Sequence, residues 1–553
     1  MKDYEMMHGD FRINVPEYFN FASDVVDKWA REKDKTALIY VDDRLRDKHF
    51  SFSYISERSD AVGSLLQSHG VIKGDKVFIS LPRIPEWWEL MMGIQKAGAV
   101  AVPGTVQLTA KDMAYRIKAS GAKVAITNEA NAAKIEEIRD ECPDLQVMII
   151  VDEEREDWVN YREAIQDYPG DFDAVKTRSQ DLAVIYFTSG TTGYPKMVVH
   201  TQASYPLAHT VTGKFWLDLK SSDLHWNIAD IGWGKAAWSS LFGPWHMGAA
   251  VFVHDFPKRF DPKLTLELME KYEINTLCAP PTVYRLLVLE KLEKYNFSAL
   301  RHCVSAGEPL NPETISLWKK HTKLEIYDGY GQTETTILVA NFPCMKVKPG
   351  SMGKPAPGFY VDVVDEEGNP LPQGVEGDIA IDIRKDRPVG LFKEYLKDAD
   401  GTKDRFRNGW YFTGDRAYKD EDGYFWFIGR SDDLIISSGY RIGPFEVESA
   451  LVEHPAVLEA AVVGSPDPVR GEVVKAFIIP VEGFELTEKL ADDIKAFVRK
   501  QTAPYKYPRE IEFVEELPKT VSGKIQRVKL RQLEREKKAA HDILVSAKKE
   551  MSL

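Results

Sequence analysis

The period of apolar positions changes several times along the chain, and each change marks an element. From residue 18 to about 180, short apolar runs alternate with amphipathic stretches. Residues 53–69 place Leu, Val and Ala at helical spacing, 76–81 read as a strand, and 86–97 (Trp87, Leu90, Met91, Ile94) return to the helical period. Residues 100–103 are extended, and 124–127 and 147–151 add two strands. This βαβα succession predicts a mainly parallel α/β sheet. The run Val184-Ile185-Tyr186-Phe187 is a further buried strand, and residues 274–278 followed by 283–292 repeat the strand–helix pattern. Between 349 and 426 the texture becomes short alternating strands split by Gly, Pro and Asp turns, clearest at 360–364 and 378–382, which predicts a small β-subdomain. A compact pattern then starts afresh: helix 444–453, strands 458–463 and 474–481, helix 487–501 and strand 510–514. From Arg527 onward a charged amphipathic helix follows, its basic run reading as a solvated face.

At 553 residues the chain exceeds what one core supports, so two or more domains are expected. The boundary falls near Gly429-Arg430-Ser431-Asp432-Asp433, leaving roughly 120 residues for the second domain, a natural size. A net charge of −13 argues against a general nucleic-acid binder, so an anionic ligand must be held by local cations. The first twenty or so residues carry Asp3, Glu5, Asp10 and Glu17 without an apolar stretch, unlike a secretory signal. No apolar run approaches membrane-spanning length. The four cysteines lie far apart with no CxxC pair, so neither a local zinc motif nor a disulfide framework is expected. These features read as a soluble cytoplasmic enzyme, monomer or homo-oligomer, with small-molecule partners and neither nucleic acid nor a membrane span.

The chemistry gathers first around Thr188-Ser189-Gly190-Thr191-Thr192-Gly193-Tyr194-Pro195-Lys196, where a core strand gives way to hydroxyls and glycines ending in a lysine. Closely spaced backbone N–H groups, hydroxyls and a cation are the inventory that holds a polyphosphate. It is not a Walker A loop, because Pro195 precedes the lysine and no Ser or Thr follows it. Asp328, Gln332, Thr333 and Glu334 cluster around Gly329 and Gly331. A carboxylate such as Glu334 beside phosphates suits Mg²⁺, which is usually held by one or two carboxylates and phosphate oxygens. Asp415 follows Gly414, and Arg430 comes fifteen residues later; an Asp and an Arg near one sugar would complete a nucleotide site.

With these residues in hand, the chain resembles the adenylate-forming superfamily of acyl-CoA synthetases, luciferase and adenylation domains. The resembling stretches are 188–196, Ala306-Gly307-Glu308-Pro309, Tyr330-Gly331-Gln332-Thr333-Glu334, Tyr411-Phe412-Thr413-Gly414-Asp415, Gly429-Arg430-Ser431-Asp432-Asp433 and 518–524, and they span nearly the whole chain. Residues 437–444, 465–472 and 503–509 look like the medium-chain acyl-CoA synthetases. The resemblance implies an α/β fold: a large N-terminal domain (1–430) of two βα-type sheets plus the small β-subdomain, and a small mobile α+β C-terminal domain (431–553) hinged at Asp432. It implies ATP, Mg²⁺ and coenzyme A, with a carboxylic acid adenylated and then passed to the CoA thiol. By the same resemblance, 188–196 grips the β- and γ-phosphates, Gly307-Glu308-Pro309 and Asp328-Gly329-Tyr330 flank adenine, Thr333 meets the α-phosphate and Glu334 ligates Mg²⁺. Asp415 and Arg430 would hold the ribose, Gln107 would lie near the nucleotide, and Lys524 would be the catalytic lysine. Ser522-Gly523 is a turn signal that puts Lys524 at a loop tip.

For CoA, Gly439 offers a narrow passage beside Ser438 and Tyr440, while Arg441, Arg470 and Arg509, with Tyr507, suit its phosphates. The acyl pocket is expected around Trp233, Gly234, Lys235, Trp238 and Gly331. Gly331 stands where acetyl-CoA synthetases carry a tryptophan, which predicts a pocket open beyond acetate, and Gly234 vacates further volume. A short-to-medium acid, branched ones included, fits this set. An aryl-acid CoA ligase and an adenylation enzyme serving a carrier protein are the alternatives.

Overall fold

The computed structural model describes residues 3–188, 195–256, 260–437, 440–467, 470–503, 505–520 and 524–550, the side chains of 441 and 539–550 excepted. The chain divides into two units, Met1–Val361 with Asp382–Trp410, and Asp362–Ile381 with Tyr411–Leu553.

Among the described residues the first unit holds two large sheets. One runs in the order Glu394–Tyr395, Lys196–Thr201, Leu182–Thr188, Val100–Pro103, Lys76–Ser80, Ala122–Thr127, Val147–Ile150 and Val159–Asn160. Its centre is parallel, as the βαβα pattern predicts. Val100–Pro103 is buried along its whole length, the signature of a strand covered on both faces. The helix Ala110–Ser120 buries Met113 and Ile117 in the core beside this sheet. A capping box between Thr109 and Asp112 opens it and Gly121, at φ +68°, closes it.

The second sheet runs Lys354–Pro355, Val339–Ala340, Ile326–Tyr330, His302–Ala306, Thr276–Ala279, Leu224–Asn227, Ala250–His254, Thr36–Val41 and Asp47–Ser51. Parallel register sets Ser305 opposite Asp328 and Ala306 opposite Gly329. The segments that follow these two strands, 307–309 and 331–334, therefore leave the sheet side by side at its carboxyl edge, where α/β sheets bind ligands. Thr36–Val41 enters this sheet beside Ala250–His254, a pairing across two hundred residues that local periodicity cannot reveal.

In the second unit, apart from their end residues Val361, Asp382 and Trp410, the strands Val361–Val364, Gly377–Asp382, Trp410–Lys419 and Phe425–Arg430 lie in one sheet. Another runs Tyr440–Ile442, Ile435–Ser437, Gly471–Pro480 and Val457–Asp467, with Glu510–Phe513 parallel beside Gly471–Pro480. The helices Pro444–Val452 and Glu488–Gln501 bury Val447, Leu451, Ile494 and Val498 with that sheet's side chains. The final helix, Arg527–Glu550, is fastened by a buried ion pair between Lys475 and Glu534 at 2.5 Å. No helix among the described residues is long and apolar enough to cross a membrane.

Candidate active site

In the first unit, the phosphate-loop lysine opens a strand: Leu182–Thr188 and Lys196–Thr201 pair antiparallel, with Thr188 opposite Lys196. The intervening expectations, Ser189, Gly190, Thr191, Thr192, Gly193 and Tyr194, lie outside the described residues. Glu394–Tyr395 pairs with the far side of Lys196–Thr201, which brings Tyr395 beside the lysine. The Lys196 ammonium lies 4.6 Å from the Tyr395 ring centre and 3.2 Å from an Asp398 carboxylate oxygen. The Gly401 N–H and that ammonium together hold Asp398 below the usual carboxylate range. The Tyr395 hydroxyl donates to Glu334 Oε1 at 2.7 Å, and the Phe392 N–H donates to the Glu334 carbonyl at 2.7 Å. A cation and a carboxylate far apart in sequence thus share one tyrosine. Tyr395 and Asp398 carried no signal in the sequence, since an isolated two-residue strand has no period.

Thr333 is fixed from behind. Its carbonyl accepts from His200 Nε2 at 2.7 Å, and His200 Nδ1 lies 3.1 Å from the Ser204 hydroxyl. Burial pushes the His200 imidazole down to about 3, so the ring is neutral and carries its proton on Nε2, because a carbonyl only accepts. The Thr333 methyl and hydroxyl stand 3.8 and 4.0 Å from where a Cβ on Gly234 would lie, so the α-phosphate and acyl candidates are neighbours.

Gln107 is exposed, but its loop is anchored: the Gln107 N–H reaches the Thr105 hydroxyl, which donates to Asp230, and Asp230 also accepts from the Gly232 N–H. Gly232 is obligatory here, as a Cβ would stand 2.2 Å from the Thr105 nitrogen. Among the adenine candidates, Gly307 has φ +111° and its Cβ direction opens to empty space. Glu308 lies 3.7 Å from Arg285, and Pro309 follows it. Tyr330 closes the strand opposite Val339, and the Gln332 N–H donates to the Thr335 hydroxyl. Burial pushes the Asp328 carboxyl up to about 8, against the pull of the Leu310 and Gly329 N–H groups and Lys235.

One expectation for the acyl pocket, open volume at Gly331, meets a side chain from another element. The volume that Gly331 was expected to leave open is filled by Trp238: a Cβ at 331 would stand 2.4 Å from Trp238 Cη2 and 2.6 Å from the Thr336 carbonyl oxygen. A tryptophan thus stands beside Gly331, supplied from another element. The Lys235 ammonium donates to the Ala306 carbonyl at 2.7 Å, which ties the acyl candidates to the segment that carries the adenine candidates. Trp233 keeps its indole nitrogen buried with no hydrogen-bond partner.

In the second unit, Asp415 and Arg430 are register partners on adjacent antiparallel strands. Asp415 is buried and its N–H donates to the Thr413 hydroxyl, while Arg430 Nε lies 3.1 Å from Asp432. Asp433, next in the same turn, pairs with Arg531 at 2.5 Å. Lys524 is exposed on a small hairpin closed by the Lys519–Ile525 bridge and by the Thr520 N–H donating to the Lys524 carbonyl at 2.7 Å. Of the CoA candidates, Ser438 and Gly439 lie outside the described residues, and Arg441 stands opposite Ile436 in its strand pair. Tyr440 is exposed and stacks on Tyr505 with ring centres 4.3 Å apart. Arg509 donates to the Tyr507 hydroxyl at 3.2 Å, and Arg470 is fixed by its N–H on Asp467.

No group of three or more metal-ligating side chains occurs among the described residues. Glu334 and Thr333 themselves offer oxygen donors, which fits Mg²⁺ shared with phosphate oxygens and not a metal held by protein alone.

Comparison with known proteins places the chain among adenylate-forming, AMP-binding enzymes. Residues 25–396 match the AMP-binding enzyme family and 446–524 match the AMP-binding enzyme C-terminal domain; the chain belongs to this family. It is 49% identical to rat acyl-coenzyme A synthetase ACSM3, mitochondrial, over 96% of this chain and 93% of the relative. Identity to the mouse ACSM4 enzyme, also named mitochondrial, is 49% over 94% and 91% of the two chains. Among solved structures, an anthranilate CoA ligase in complex with anthranoyl-AMP superposes with a TM-score of 0.86, at 32% identity, over 94% of this chain and 98% of that one. The expected α/β fold and the acyl-CoA synthetase reading are borne out over the alternatives. The cytoplasmic expectation is contradicted, because both curated relatives are named mitochondrial. Cysteine spacing reads a reducing environment, and that does not separate one reducing compartment from another.

Proposed function

We propose that this AMP-forming acyl-CoA synthetase activates short-to-medium aliphatic carboxylic acids in fatty-acid metabolism, and that it works in the mitochondrion, the compartment in its relatives' names. The observation that supports the reading is the Lys196–Tyr395–Glu334 group, a cation and a carboxylate that share one tyrosine and suit phosphates and Mg²⁺.

In the first half-reaction the acid's carboxylate oxygen attacks the α-phosphorus of ATP, the bond to the β-phosphate oxygen breaks, and pyrophosphate leaves. Lys196 and the hydroxyl loop 188–195 hold the departing phosphates. Thr333, steadied by His200, orients the α-phosphate. Glu334, set by Tyr395, would hold Mg²⁺, which supplies charge neutralisation at the phosphates. Asp415 and Arg430 bind the ribose, Gly307-Glu308-Pro309 and 328–330 border the adenine, and Gln107 lies near the nucleotide. Lys524 offsets the charge that builds on the acyl carboxylate and α-phosphate; an ammonium at contact distance is worth about 4 kcal/mol at intermediate dielectric, about three decades of rate. In the second half-reaction the CoA thiol attacks the acyl carbon and AMP leaves. Rotation about Asp432 withdraws Lys524 and presents the CoA segment around Gly439, Tyr440 and Arg441, with Arg470, Tyr507 and Arg509 on the CoA phosphates.

The test is pyrophosphate release across a panel of acids, with and without CoA. Butyrate through octanoate should outpace acetate, palmitate and benzoate, and thioester should appear only with CoA. A benzoate or anthranilate maximum would transfer the reading to an aryl-acid ligase.

A further inference from the structure

We propose that Tyr205 sets the length of acyl chain accepted, by pinning the Trp238 indole against Gly331; the inference rests on the acyl-site reading above. Tyr205 and Trp238 lie on separate wide, π-type helical turns, Ala203–Leu207 and Ala237–Leu241. Such turns are rare and recur at functional sites. A missing side chain keeps the two segments close: a Cβ on Gly234, just before the Trp238 turn, would stand 3.0 Å from the Tyr205 hydroxyl oxygen.

Tyr205 is fully buried, and its ring is gripped between His200 and His209, with ring centres at 4.0 and 4.3 Å. Burial keeps both imidazoles neutral. The Trp238 Nε1–H donates to the Tyr205 hydroxyl oxygen at 2.8 Å, and that hydroxyl donates onward to the Gly234 carbonyl at 3.4 Å. The hydroxyl is therefore a fixed point on the acyl wall, and the indole it holds occupies the space beside Gly331. An indole N–H buried without an acceptor is costly, so this hydrogen bond selects the Trp238 rotamer. Pocket depth follows from that rotamer and not from residue 331. The ligands discriminated are unbranched aliphatic acids, sorted by length.

Steady-state kinetics of the full-length enzyme with butyrate, hexanoate and octanoate test the proposal. Tyr205→Phe removes only the hydroxyl and should raise the octanoate-to-butyrate ratio of kcat/KM on the order of tenfold, the worth of about a methylene or two in an apolar pocket. KM for ATP and the melting temperature should change little. Trp238→Leu, or Trp238→Phe should the leucine variant fail to fold, should shift the ratio further in the same direction. Tyr205→Phe should then add nothing to it, since both act through one side chain. An unchanged ratio in Tyr205→Phe, or the same shift persisting without Trp238, overturns the proposal. If the Trp238 variants move the profile and Tyr205→Phe does not, the acyl-site reading survives alone. If neither Trp238 variant moves it, that reading falls and takes the proposal with it.

Discussion

The candidate residues of the first unit and those of the second are held in opposite ways. In the first, Thr333, Glu334, Lys235 and Trp238 are each tied to a partner that is itself fixed, through His200, Tyr395, the Ala306 carbonyl and Tyr205. In the second, Lys524 and Tyr440 stand exposed at a hairpin and a strand start, and Arg430 is 42% exposed. A preorganised wall suits groups that must hold substrate through both half-reactions. Exposed groups on short elements suit a cation and a binding strip needed for one step each. The difference teaches where substitutions should act on a single half-reaction and where they should disturb both.

The sharpest break in the comparison is Lys524→Ala. Adenylation should fall by about three decades while thioester formation from supplied acyl-AMP continues, because an exposed side chain serves one step only. Equal loss of both rates, measured by pyrophosphate release and by thioester yield, would erase the contrast. Tyr395→Phe probes the first unit. Deleting a hydrogen bond to a charged carboxylate should cost about tenfold in adenylation and raise the Mg²⁺ concentration for half-maximal rate. An unchanged Mg²⁺ dependence would detach Tyr395 from the metal site.

Asp432→Pro fixes φ near −65° and should slow CoA transfer from acyl-AMP by roughly tenfold while adenylation persists. Normal rates for both would move the hinge elsewhere. The smallest effect is a pH dependence of stability. Asp328 titrates near 8 in the folded chain and near 3.8 when unfolded, so the stability it contributes is complete below 3.8 and lost as pH rises through 8. Asp328→Asn removes that loss. Its melting temperature relative to the unchanged protein should climb by a few degrees between pH 5 and 8, and a flat difference across that range would count against a neutral Asp328.

The parts legible in the sequence were those with a local period or a contiguous motif. The strands and helices from 53 to 150 follow the apolar pattern, and Asp415 and Arg430, read as partners at one sugar, turn out to be neighbours across two strands. What stayed hidden depends on contacts between distant segments. Tyr395 reaches Glu334 from a two-residue strand, and Thr36–Val41 with its neighbour Asp47–Ser51 joins a sheet whose other strands come from residues 224–355. Gly331 misled because a missing side chain reads as space, whereas Trp238 arrives from ninety residues upstream to fill it.

The central claim is that the enzyme makes an acyl adenylate before it meets CoA, and a single turnover with limiting ATP and excess enzyme and hexanoate tests it most directly. Without CoA, the account predicts pyrophosphate released in equal amount to enzyme-bound hexanoyl-AMP; adding CoA should convert that adenylate to hexanoyl-CoA and AMP. ADP and orthophosphate as products, or thioester formed with no adenylate preceding it, would contradict the account.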